Sequence, residues 1–125
     1  MAQKYIIGDL VKYKVGGLEF IAEITNTSKY GYCFKAVSDD ISGTLCKEFT
    51  KDIPLTSGIL VKNGWKKPDA FDSYWLDKIG LLQDGDIWHS ALGSTKIAIT
   101  LGDIQYIHEL QHLLFGLGLN SKMEV

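Results

Sequence analysis

The chain has 125 residues, 46% of them hydrophobic, and a net charge of −2. That is the size of one domain with enough apolar material for its own core. All thirteen basic residues are lysines and they are scattered, apart from the pair Lys66–Lys67. Without arginine there is neither the usual reader of guanine edges nor a basic stripe, so nucleic acid is not an expected partner. No segment approaches the ~20 apolar residues that cross a bilayer, and the start MAQKYIIGDL lacks the apolar stretch of a signal peptide. A membrane is therefore not expected either. Cys33 and Cys46 lack CxxC spacing and are expected to stay reduced, and the protein is expected to remain in the cytoplasm.

The predicted elements describe an α+β chain. Leu10–Val15 alternates with a period of two, and Gly16-Gly17 is a hairpin signal. Leu18–Thr25 alternates Leu18, Phe20, Ala22 and Ile24 against Glu19, Ile21, Glu23 and Thr25. Tyr30–Val37 reads as a third strand, Ser38–Gly43 as a loop, and Leu45–Ile53 as a further strand ending at Pro54. Short strands this close together predict a small bent antiparallel sheet or an SH3-like barrel. Thr56 is placed to cap a short helix through Ile59, Leu60 and Val61, with Gly64 as its left-handed terminator. A meander of three strands follows: Ser73–Ile79, Asp86–Ala91 and Ser94–Leu101. Its turns are placed at Asp84-Gly85 and Leu92-Gly93. An amphipathic helix from Ile104 to about Gly116 closes the chain, with a stripe of Ile107, Leu110, Leu113, Leu114 and Leu117. The whole is expected as a single domain, residues 1–54 forming a β-rich half and 55–125 the helix, meander and terminal helix.

Two constellations carry candidate chemistry. His108-Glu109-Leu110-Gln111-His112 has the HExxH spacing, in which two histidines one turn apart bind zinc and the glutamate activates water. A third ligand is hard to find, because only Glu124 follows as a carboxylate and His89 lies upstream. At about 100° per residue, His108 and His112 also fall roughly opposite the apolar stripe. They are read as residues of a polar face, with metal binding by His108 and His112 as the alternative. The second constellation is aromatic. Trp65, Tyr74, Trp75 and Trp88 lie in the second half with Lys66, Lys67 and His89 beside them. Rings at strand ends with nearby cations stack flat bases and hold phosphates, while the competing role for any one tryptophan is core packing. Tyr74 and Trp75 are adjacent in a strand and must face opposite sides. Tyr30, Tyr32 and the face around His108 are the next candidates.

The segment DIPLTSGILVKNGWKK (Asp52 to Lys67), the meander containing SYWL, and the end IQYIHELQHLLFGLGLNSKMEV resemble a family of small proteins from phages and prophages of Bacteroides and relatives. That family shares a "GDLV" start, a "PLT…ILxKxGF" helix and a terminal "YxHxLQxL" helix; Trp65 stands here where phenylalanine is usual. In that pattern His108, Leu110 and Gln111 are the fixed positions and Glu109 and His112 vary, which weakens the zinc reading. The resemblance implies an accessory protein of an infected bacterium. In size, acidity and aromatic content the chain is similar to phage sponges, oligomers that sequester nucleotide signals of host immunity such as cyclic ADP-ribose or cyclic dinucleotides. The resulting expectation is a homo-oligomer, a dimer by preference, that binds a nucleotide-type small molecule without cofactor or catalysis in the cytoplasm of the infected cell. Its ligand residues would be Lys66, Lys67, Tyr74, Trp75, Trp88, His89 and His108. The alternatives are a metal-dependent hydrolase built on HELQH and a protein–protein inhibitor of a host factor.

Overall fold

A computed structural model describes residues 5–27, 31–38, 41–46, 49–67, 73–93 and 98–125. The class is α+β: the described residues form nine strands in two open antiparallel sheets, one short helix and one helix near the end of the chain. The chain divides into two compact units, Met1–Ile53 with Tyr106–Lys122, and Pro54–Gln105 with Met123–Val125. The helix near the end thus belongs with the N-terminal strands, not with the meander that precedes it. Among the described residues no helix is long and apolar enough to cross a membrane.

In the first unit β1 (Leu10–Val15), β2 (Leu18–Thr27), β3 (Gly31–Ala36), β4 (Ser42–Cys46) and β5 (Thr50–Lys51) form one sheet in the order β4-β3-β2-β1-β5. Of the two predicted forms the open sheet is the one found, since no pairing among the described residues joins β4 to β5. Gly16 takes φ +57° in the tight turn between β1 and β2, as its lack of a Cβ permits. The alternation in β2 puts Ala22 and Ile24 into the core, where they meet Tyr5, Val11, Tyr32, Phe34 and Ala36, with Tyr13 and Phe20 at the margin. The segment read as one strand from Leu45 to Ile53 is split between β4 and β5. The loop expected over Ser38–Gly43 gives up Ser42 and Gly43 to β4. The helix α2 (Ile107–Gly116) covers the sheet with Ile107, Leu110 and Leu114, all buried.

In the second unit α1 (Ser57–Lys62) starts at Thr56, whose hydroxyl accepts the Ile59 N–H at 3.3 Å. It ends through Asn63 into Gly64 at φ +89°, as predicted. The meander has four strands, not three: β6 (Ser73–Leu76), β7 (Ile79–Asp84), β8 (Ile87–Gly93) and β9 (Ala98–Ile104), paired in that order. The unforeseen turn lies between Leu76 and Ile79. It is made by Asp77 at φ +54°, an aspartate in the conformation usually given to glycine. Leu92 and Gly93 belong to β8. Gly102 and Asp103 are the last part of β9 and do not precede a helix, because Ile104 still pairs with Trp88 and is buried. Tyr30 and Ser94, with which two of the expected strands begin, lie outside the described residues.

Candidate functional site

Each face of the second unit's sheet has a different role. Tyr74, Ile79, Leu81, Trp88, Ser90 and Ile104 line the inner side, and most are buried there. Trp88 is 0% exposed; its indole N–H donates to the Leu55 carbonyl at 3.1 Å, and its ring meets Tyr74 edge-on at 5.7 Å. Trp65 is 3% exposed. Neither tryptophan offers a surface to a ligand, and the core-packing role holds for both. The expected stacking role of Trp88 is corrected on this ground.

Trp75 is different. It faces the outer side, half-buried, and pairs with Lys66 through two reciprocal backbone hydrogen bonds of 2.9 and 2.7 Å. Residues opposed in this way project their side chains to the same face, so Lys66 stands beside the indole. On the other side Trp75 is paired with Gly80. A methyl group added at Gly80 would lie 2.7 to 2.8 Å from three atoms of the indole's six-membered ring. The ring therefore rests against the backbone of β7, a position only glycine allows. Gly80→Ala should push the indole off this seat and cost about 1–3 kcal/mol, the usual cost of overpacking. Melting and tryptophan fluorescence will show it, and the cost should shrink when Trp75 is replaced by leucine.

Lys66 and Lys67 are exposed, as a phosphate contact requires. His89 is not suited to that task. Its Nδ1 lies 2.6 Å from Asp103 Oδ1 and its Nε2 3.0 Å from Asp84 Oδ2. Two carboxylates occupy both ring nitrogens and repel an approaching anion. The hydrogen bond to Asp84, then that to Asp103, raises the pKa of His89 above the ordinary histidine value. Both bonds favour the imidazolium, so they are fully made at acid pH and weaken as pH rises through the raised pKa. Tyr74 is half-buried and turned toward Trp88, on the side of the strand opposite Trp75. The separation of adjacent residues to opposite faces is as expected.

The HELQH segment lies in the first unit. Glu109 Oε1 accepts the backbone N–H of Tyr106 at 3.0 Å, capping the start of α2. The carboxylate that would activate water in a zinc protease is thereby engaged with the backbone. His112 Nε2 is 2.7 Å from Asp9 Oδ2, a carboxylate that is itself buried and accepts the Ile6 N–H at 2.8 Å. His108 is 5% exposed, and the expected polar-face position is corrected. At about 100° from Ile107 it sits at the edge of the apolar stripe. Tyr106 stacks on it at 10° between planes, and Tyr5 meets it edge-on. Its Nδ1 has no hydrogen-bond partner and stands 3.7 Å from Asp52 Oδ1. Burial pushes its pKa down, against the opposing pull of Asp52 and Asp9. Among the described residues no three His, Cys, Asp or Glu side chains are grouped to hold a metal ion.

Gln111 was named in the sequence only as a fixed position of the resemblance, with no role given to it. It is 3% exposed, and its amide joins three backbone groups: Oε1 accepts the Leu10 N–H at 2.8 Å, while Nε2 donates to the Gly8 and Ser121 carbonyls at 2.9 and 3.1 Å. Position 111 falls inside the stripe of Ile107, Leu110 and Leu114, and a glutamine at the centre of an apolar face was the available signal. Gly8, Asp9 and Leu10 therefore meet His112 and Gln111 as a structural clamp. Tyr32, a fallback ligand residue, is 7% exposed and packs edge-on against Tyr5. No family model, no curated protein and no solved structure matches the chain.

Proposed function

We propose that the chain is a non-catalytic binding protein that captures a nucleotide-type small molecule on the outer face of its second sheet. The pairing of Lys66 with Trp75 carries this reading. It sets a cation beside a seated, partly exposed ring, the combination that receives a phosphate and a flat base together. Lys67 adds a second exposed cation next in sequence. The ligand residues of the proposal are Trp75, Lys66 and Lys67. With the resemblance to small phage proteins, the reading extends to sequestration of a host immune signal, of the cyclic ADP-ribose or cyclic dinucleotide type, in the cytoplasm of an infected bacterium. A homo-oligomer is part of the proposal, because closed two-fold assembly is the commonest route to a composite pocket.

Incubation with a panel of nucleotide signals, heat release and analysis of the released compounds tests the reading. Intact recovery supports capture. Conversion of a compound would mean an enzyme, and failure to take up any would favour a protein partner. A base stacked on a ring contributes about 1–3 kcal/mol, so Trp75→Ala should weaken a captured nucleotide about tenfold or more without loss of fold.

A further inference from the structure

The start of α2 is held to the first unit through His108, a side chain that fits its surroundings only when neutral. The ring is buried between Tyr106 and Tyr5, and Nδ1 has no hydrogen bond. The nearest opposite charge, Asp52 Oδ1, is 3.7 Å away, beyond hydrogen-bond reach, and already accepts the Tyr5 hydroxyl. His108 lies in the first turn of α2, where the helix dipole disfavours positive charge. The titratable groups around it come from every neighbouring element. They are Tyr5 and Asp9 ahead of β1, Tyr32 of β3 behind Tyr5, Asp52 after β5, and Tyr106, Glu109 and His112 along α2. The His112 ring lies 5.5 Å from that of His108, so a second positive charge there opposes the first.

We propose that His108 is an acid-sensitive latch: protonation of its ring loosens the first turn of α2 from the sheet, while the Asp9–His112 contact keeps the second turn in place. An imidazolium in this position must lose its hydration, with no hydrogen bond ready to replace it, or move outward. The Asp9–His112 contact, 2.7 Å long, is made by different atoms one turn further along the helix and does not depend on the His108 ring. The sign follows from burial. The undocked ring takes up its proton in the ordinary histidine range and the docked ring only at lower pH. Docking is therefore complete above that range and weakens as pH falls through the interval between the two values. The device is independent of any ligand on the other unit.

Amide hydrogen exchange over residues 106–112, corrected for the intrinsic effect of pH, tests it between about pH 7.5 and about pH 5. Protection at the start of α2 should fall by about tenfold or more as pH drops below the ordinary histidine range, and the fall should level off where the docked His108 ring itself titrates, as followed by NMR. His108→Gln, neutral throughout, should abolish this dependence. If that variant does not fold, agreement in the parent protein between the pH at which the fall levels off and the NMR titration of His108 decides. Unchanged protection in the parent, loss that does not level off where His108 titrates, or loss that persists in folded His108→Gln would overturn the proposal.

Discussion

Trp88→Ala should cost about 3–5 kcal/mol and lower the melting temperature of the transition that reports on the second unit by roughly 12–40 °C. The side chain is 0% exposed and lies over the inner face of the sheet between Tyr74 and Ile104. Its removal leaves a cavity that the paired strands on either side cannot close. It also strips the Leu55 carbonyl of its indole donor, in a segment whose N–H is bonded to Gln105 at 3.0 Å. Trp75→Ala provides the contrast, since that ring is only partly buried and rests on the outer face of the sheet. Thermal melts of the two variants side by side check the assignment of one tryptophan to the core and the other to the outer face. A Trp88 variant that melts with the parent would mean that the inner face has been misidentified.

Gln111→Leu should cost about 2–5 kcal/mol, more than a residue with no apolar contribution would suggest. The leucine fills the space but leaves the Leu10 N–H and the Gly8 carbonyl unpaired in a buried setting. Gln111→Glu gives a sharper comparison. One carboxylate oxygen still accepts from Leu10, but the other faces two carbonyls where the amide had donated. The folded state should therefore favour the protonated acid, raising its pKa. The loss should be largest at neutral pH and recover as pH falls through that raised value. Denaturant titrations at several pH values measure this, and a pH-independent loss for Gln111→Glu would refute the donor role of Nε2.

The elements readable in the sequence were those whose cause is local. Thr56 and Gly64 mark the ends of α1 because capping needs only a side chain and a backbone three residues apart. The alternation of Phe20, Ala22 and Ile24 marks β2 because a half-buried strand repeats every two residues. What was missed depends on distant partners or on residues that break their own preference. Asp77 turns the chain at positive φ without glycine, asparagine or proline to announce it, so two strands read as one. His108 looked polar because the neighbours that enclose it, Tyr5 and Asp52, are remote in sequence. Of the candidate ligand residues, Trp75 and Lys66 are brought together by a pairing that their nine-residue separation did not reveal. His89 was read as a cation alone, since the turn and the strand that supply Asp84 and Asp103 had not yet been joined.

The division of the chain has a consequence for how the molecule is made. Ile53 and Ile107 are joined by a 2.8 Å hydrogen bond inside the first unit, and Leu55 and Gln105 by a 3.0 Å bond inside the second. The second unit is thus, apart from its last three residues, an insertion in the sequence of the first, entered after Ile53 and left before Tyr106. Synthesis from the N-terminus delivers β1–β5 first, yet their covering helix emerges only after the whole insertion. The sheet of the first unit must therefore wait with its apolar face uncovered while the second unit, contiguous apart from its last three residues, is completed. The closing event is the arrival of Ile107, Leu110 and Leu114, a long-range contact whose entropy cost grows only slowly with the length of the insertion. Changes to the size of that module should therefore affect the rate of assembly more than the stability of the finished first unit.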